Sequence, residues 1–151
     1  MRDVKFRGYQ QALGYFVEGS YLYTPQETND DGIAHWIVRE DGFKYAIMNP
    51  ETIGRYTGLK DKNGVEIFDG DVIPSNYTTF SKGELKVQVV RFLDGGFRRL
   101  SVHRKWGPYG AYGEAEIADW HDQGCLSKDA AMETEVLGNI YENPELLEEE
   151  E

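Results

Sequence analysis

Short turn-forming groups punctuate this chain: Asp41-Gly42, Asn63-Gly64, Asp69-Gly70-Asp71 and Asp94-Gly95-Gly96. Each supplies residues that tolerate the left-handed backbone of tight turns. The segments between them are rich in Val, Ile, Tyr and Phe, which favour strands. Glycine makes up 17 of the 151 residues, which multiplies the places where the chain can reverse. The chain therefore reads as mostly β, with turns doing much of the specifying.

Val4–Tyr9 alternates weakly and reads as a first strand. Tyr15–Thr24 is aromatic and strand-prone, with Glu18-Gly19 as the expected turn centre. Gln26–Gly32 is a polar loop. His35–Glu40 and Phe43–Met48 flank Asp41-Gly42 as a hairpin with a tight primed turn. Trp36 and Val38 would share one face of it, His35 and Ile37 the other. Asn49-Pro50 closes the N-terminal part.

A strand is expected over Ile53–Leu59, then a turn at Asp61–Gly64 whose backbone the Asp61 carboxylate can accept from. Val65–Phe68 and Val72-Ile73 follow as short strands around Asp69-Gly70-Asp71. Pro74 lacks a backbone donor, so its strand ends there or lies at an edge. Pro74–Gly83 is polar and reads as a loop. Leu85–Phe92 is a strong strand. Its alternation slips between Val89 and Val90, which marks a bulge. Asp94-Gly95-Gly96 turns into a strand over Phe97–His103. Ser127 can cap a helical turn over Ser127–Met132. A last strand is expected over Glu135–Tyr141. Asn143-Pro144-Glu145 then starts a helix anchored by Leu146 and Leu147.

Composition excludes several classes. The formal net charge is −11. The last ten residues hold six acids and no base, so the body is only mildly acidic. This balance argues against a general nucleic-acid binder, which normally carries a basic footprint. Apolar residues make up 40% of the chain, enough for a core. Cys125 is the only cysteine, so no intrachain disulfide forms, as suits a reducing cytoplasm. No stretch reads as a signal peptide or membrane span.

No constellation makes a convincing catalytic or metal centre. Asp119, His121, Asp122 and Cys125 supply ligand-type side chains, but zinc sites repeat such pairs at tight spacing, and a polar loop explains them. Cys125 with His103 or His121 needs a geometry that spacing does not give. Gly107–Gly113 carries Gly at every third position without the strand-to-helix context of a phosphate cradle. The loops at Gln26–Asp31 and Asp61–Gly64 fail the EF-hand pattern of ligand positions. Glu114 and Glu116 read as a solvated edge. No catalytic residue, cofactor or metal is assigned.

One basic concentration stands out. Residues 91–105 hold five bases, Arg91, Arg98, Arg99, Arg104 and Lys105, against one acid, Asp94. Phe97, Trp106 and Tyr109 lie among or beside them. Bases interleaved with aromatics suit single-stranded nucleic acid, through phosphate contact and base stacking. Two other readings stand beside it: a charged sheet edge that resists aggregation, and a dock for the acidic tail. Arg98, Arg99, Arg104, Lys105 and Trp106 are the candidate contacts for a partner or nucleic acid.

Tyr56-Thr57-Gly58-Leu59-Lys60-Asp61-Lys62-Asn63-Gly64, then Ile67-Phe68 and Gly70-Asp71-Val72, resemble the central signature of the YopX family. Gly138–Leu147 resembles its closing signature, and Lys5-Phe6-Arg7 its start. Residues 74–133 carry no such signature. The resemblance implies a mostly β protein with a phage or prophage origin. It also implies a second half that curls into a small SH3-like barrel. It implies no activity, substrate or cofactor. The expected organisation is an N-terminal β subdomain over 1–49, the barrel region over 50–147 with a short C-terminal helical turn, and an acidic tail over 148–151. The expected function is a non-enzymatic accessory protein in the bacterial cytoplasm. It would bind a host or phage protein and could form a homo-oligomer, with no membrane involved. The alternative is a single-stranded nucleic-acid module built on residues 91–109.

Overall fold

A computed structural model describes residues 4–25, 32–75, 84–103 and 120–147. The loops expected at Gln26–Gly32 and Pro74–Gly83, and the Gly107–Gly113 repeat, lie wholly or largely outside them. The described chain is mostly β, with antiparallel sheets and a single α-helix. It divides into two compact units, Met1–Tyr56 and Thr57–Glu151. Among the described residues no helix is long and apolar enough to cross a membrane.

In the first unit, β1 (Phe6–Gln10), β2 (Tyr15–Pro25), β3 (Ile33–Val38) and β4 (Lys44–Ile47) form an antiparallel meander in that order. The start of β5 (Gly54–Lys60) pairs with β1, Phe6 opposite Arg55. The boundary between the units therefore falls inside β5. Val17, Ile37 and Ile47 form the core, lined by Phe6, Tyr21, Tyr45 and Ile53. Tyr21, Ile37 and Tyr45 stand in one cross-strand row, with Leu22, Trp36 and Ala46 in the next row on the other face. This is the expected alternation, with Ile37 inward and the Trp36 indole N–H donating to Thr24 Oγ1 at 3.1 Å. The meander also curls. The Gln10 amide Nε2 on β1 donates to the Ala46 carbonyl on β4 at 2.7 Å.

Two local expectations need correction. Glu18-Gly19 is not a turn: β2 runs unbroken through it. A Cβ at Gly19 would sit 2.2 Å from the Val38 carbonyl oxygen, so the glycine is there for close backbone approach. Asp41-Gly42 is not a primed turn. Arg39 N–H donates to Phe43 O, Gly42 N–H donates to Arg39 O, and Gly42 alone of this loop takes a positive φ, +88°. That is a type I turn followed by a glycine bulge.

In the second unit, β5 continues to Lys60 and pairs with β6 (Glu66–Phe68) across the turn at Asp61–Gly64. β7 (Asp71–Pro74), β8 (Glu84–Leu93), β9 (Gly96–His103), β10 (Trp120–Cys125) and β11 (Gly138–Asn139) form a sheet in the order β10-β9-β8-β7-β11. Among the described residues it does not close into a barrel. α1 (Lys128–Glu133) is capped as expected, Ser127 Oγ accepting from Ala130 N–H at 3.1 Å. Asp94 and Gly95, with φ of 51° and 82°, turn β8 into β9.

This sheet is apolar on both faces. Ile73 and Val90 pack with Ile67, Leu126 and Ala131 on one side. Val72 and Val89 pack with Leu147, Ile140 and Leu146 on the other. That double burial corrects the expected bulge at Val89-Val90: pairing is regular from Gln88 to Leu93, and the irregularity lies earlier, between Glu84 and Gln88. Adjacent valines are both inside because both faces are covered.

Other expectations shift with tertiary context. Pro74 does end its strand, yet β7 is an interior strand. The segment expected as a polar loop between Trp120 and Leu126 is β10, with a bulge between Asp122 and Cys125. The last strand shrinks to Gly138–Asn139, and the expected helix is one 3-10 turn, Pro144–Leu147. Cys125 is exposed.

One carboxylate organises the second unit. Asp61, 5% exposed, accepts N–H bonds from Asn63 and Val65 on Oδ1 at 2.8 and 2.9 Å, and from Val136 on Oδ2 at 2.9 Å. Burial alone would favour its neutral form. The N–H groups of Val136, Val65 and Asn63, helped by Lys62, outweigh that and hold the carboxyl below its ordinary value of 3.8.

We expect Asp61→Asn to cost about 2–4 kcal/mol, because either amide orientation sets an NH2 against a backbone donor. Urea denaturation at neutral pH measures this. The folded value is depressed, so this contribution is complete above 3.8 and is lost as pH falls through the folded value. Wild-type stability should fall with acid more steeply than that of Asp61→Asn below about pH 4. Gly19→Ala should cost about 3 kcal/mol or more by thermal denaturation, since the obstacle is backbone. Gly42→Ala, with nothing within 4 Å, should cost only about 1 kcal/mol of left-handed strain.

Candidate interaction surfaces

The basic segment is where sequence and structure diverge most. Arg91 stands opposite Arg98, and Val90 opposite Arg99. Strand alternation therefore places Arg91 and Arg98 on one face of the sheet and Arg99 on the other. The run of bases in sequence is not one surface. Arg104, Lys105, Trp106 and Tyr109 lie outside the described residues.

Arg91 is already engaged. Its Nε lies 3.4 Å from Asp69 Oδ1, and its Nη1 donates to Tyr141 Oη at 3.3 Å. Burial works against the guanidinium charge, but Asp69 and the Tyr141 hydroxyl outweigh it and raise its pKa. Asp69 Oδ1 also accepts from Phe92 N–H at 3.3 Å. Arg91 thus ties β8 to the turn before β7 and to Tyr141.

The more open surface is on the first unit, and it is aromatic. Tyr21 and His35 stack nearly parallel, 3° apart at 5.9 Å, with Tyr21 Oη 2.5 Å from His35 Nδ1. Phe6 and Tyr23 flank Tyr21 at 5.7 and 6.0 Å. Across the same sheet face, Phe43 meets Tyr45 edge-on at 4.9 Å, and the Arg39 guanidinium lies 5.3 Å from the Phe43 ring. Tyr23 and Phe43 are 64% and 54% exposed, although their neighbours Tyr21 and Tyr45 reach into the core. Tyr15 and Met48 are exposed as well. These rings are fixed at one edge and bare at the other.

In sequence each of these rings reads as an ordinary strand residue. The available signal was the i, i+2 pairing of aromatics, Tyr21 with Tyr23 and Phe43 with Tyr45, which puts both members on one face.

A family model described as YopX protein matches residues 5–148, nearly the whole chain. Among solved structures, the chain is similar to protein EF1440 from Enterococcus faecalis, at 24% identity and a TM-score of 0.48, covering 98% of this chain and all of that one. No curated protein matches.

Removing the Arg91 side chain removes its ion pair with Asp69 and its hydrogen bond to Tyr141 Oη. Arg91→Ala should therefore lower stability by about 1–2 kcal/mol in chemical denaturation. A basic residue free to serve only a ligand would show no such loss.

Proposed function

We propose that this chain, which belongs to the YopX family, is a non-enzymatic protein-interaction module carried by a phage or prophage. The observation that supports this reading is the exposure of Tyr23 and Phe43 beside rings anchored in the core. Aromatic side chains lose little freedom on binding and bring large contact area, so they are enriched where proteins meet. Scattered exposed apolar residues are ordinary, whereas rings gathered on one face are not.

The reading places the protein in the bacterial cytoplasm, which suits a chain with one unpaired cysteine. It includes an SH3-like barrel within residues 50–147, as the family resemblance implies. The antiparallel run of β7, β8 and β9 with bulged β10 beside it is compatible with such a curl. The partner is a host or phage protein, and a second copy of the chain is the variant in which the same rings serve a homo-oligomer.

Contact with single-stranded nucleic acid through residues 91–109 is the second reading. It is weaker because Arg98 and Arg99 face opposite ways and the chain is acidic overall.

Affinity capture from a bacterial host, with and without nuclease and read by mass spectrometry, separates the two. The interaction reading expects a stoichiometric protein that survives nuclease and is reduced at least tenfold by Tyr23→Ala with Phe43→Ala. Recovery that collapses with nuclease, and is weakened by Arg98→Ala instead, overturns it.

A further inference from the structure

The other face of the second unit holds polar chemistry that the fold does not use. Gln88 lies at the middle of β8, between Ile73 on β7 and Ser101 on β9. It is 0% exposed, yet neither its amide Nε2 nor its Oε1 has a hydrogen-bond partner among the described residues. Ser101 beside it is 5% exposed. Arg99, two residues along β9 on the same face, has a buried Nε that is likewise unpartnered. Buried amides left unmade are strongly unfavourable, and each such group in a folded protein calls for an explanation.

β10 is bulged between Asp122 and Cys125, and its Gly124 takes a φ of +111°. A Cβ there would lie 3.7 Å from Arg99 Nη2, so the bulge sets a residue without a side chain against the guanidinium. Bulges recur beside binding sites because they re-aim the strand. The Gln88 amide offers a donor and an acceptor side by side in one plane. A nucleobase edge presents them together, as in the Gln–adenine pair. Arg99 sits diagonally across the ladder, about 7–8 Å away by strand geometry, a fitting place for one phosphate. With an acidic chain around it, one guanidinium suits a single phosphate better than a polyanion.

We propose that Gln88, Ser101 and Arg99 form a binding site for a mononucleotide, with the base edge on the Gln88 amide and the phosphate on Arg99. Because Gln88 is fully covered, entry requires the covering face to part, so association is slow.

The test is an NMR titration of the 15N-labelled full chain with AMP, CMP, GMP and UMP in turn, and with inorganic phosphate alone. The Gln88 side-chain amide is assigned by its disappearance in Gln88→Met. At least one nucleotide should shift that amide and the Arg99 Nε–H saturably, and inorganic phosphate should not. Gln88→Met should weaken binding at least tenfold without lowering the melting temperature, since it removes two unmade hydrogen-bonding functions. Arg99→Lys, which keeps the charge, should weaken binding at least fivefold through loss of the guanidinium fork. It decides the matter even if Gln88→Met fails to fold. Absence of any saturable shift, a shift that phosphate alone reproduces, or undiminished binding by either variant overturns the proposal.

Discussion

Both oxygens of the Asp61 carboxylate are committed to backbone N–H groups, and the second unit is arranged around that commitment. Two of the donors, Asn63 and Val65, belong to the carboxylate's own turn. The third, Val136, lies 75 residues downstream. Beside it, Lys62 N–H donates to Thr134 O at 3.0 Å, Leu137 N–H to Val72 O at 2.8 Å, and Ile140 N–H to Gly70 O at 3.0 Å. The two segments that resemble the family signatures are thus the two sides of one hydrogen-bonded seam. The glycines belong to it too: a Cβ at Gly138 would come within 2.4 Å of Asn143 Oδ1, and one at Gly70 within 3.0 Å of the Tyr141 ring. Little regular secondary structure holds the C-terminal segment, so side-chain-to-backbone bonds do that work. Asn139 Oδ1 accepts from Tyr141 and Glu142 N–H in the same manner.

What could be read in advance was local. Asn63-Gly64, Gly70 and Gly95 turn the chain where expected, because positive φ is a property of the residue itself. The Ser127 cap was legible for the same reason. Gly19 was misread because a glycine kept for close approach looks, in sequence, like a glycine kept for a turn. Only the Val38 carbonyl distinguishes them. The role of Asp61 within its turn was legible, whereas its bond to Val136 was not, since nothing local encodes a partner so distant.

The surfaces were harder still. Arg98-Arg99 looked like one basic patch, but strand alternation sends neighbours to opposite faces. Gln88, between Val87 and Val89, carries no sign of burial in the sequence. A strand covered on both sides has no solvent face, and that covering comes from Leu126, Ala131 and Leu147, far along the chain. The aromatic rings of the first unit gave the opposite problem: sequence implies burial for them, and the fold buries only part.

Burial of β7 and β8 on both faces has a consequence for how their alignment is specified. In a half-buried strand, sliding by one residue exposes every apolar side chain, so the pattern itself enforces the register. Here Val72 would take the place of Ile73 and Val89 that of Val90, apolar for apolar. For these four side chains hydrophobicity is blind to that slip. The information that forbids it must come from the polar punctuation at the strand ends: the 1%-exposed Asp71, whose Oδ2 accepts from Phe68 N–H at 2.8 Å, Gly70 donating to Val90 O at 2.7 Å, and Pro74 closing the far end. The turn residues act as the ruler against which this pair of strands is measured.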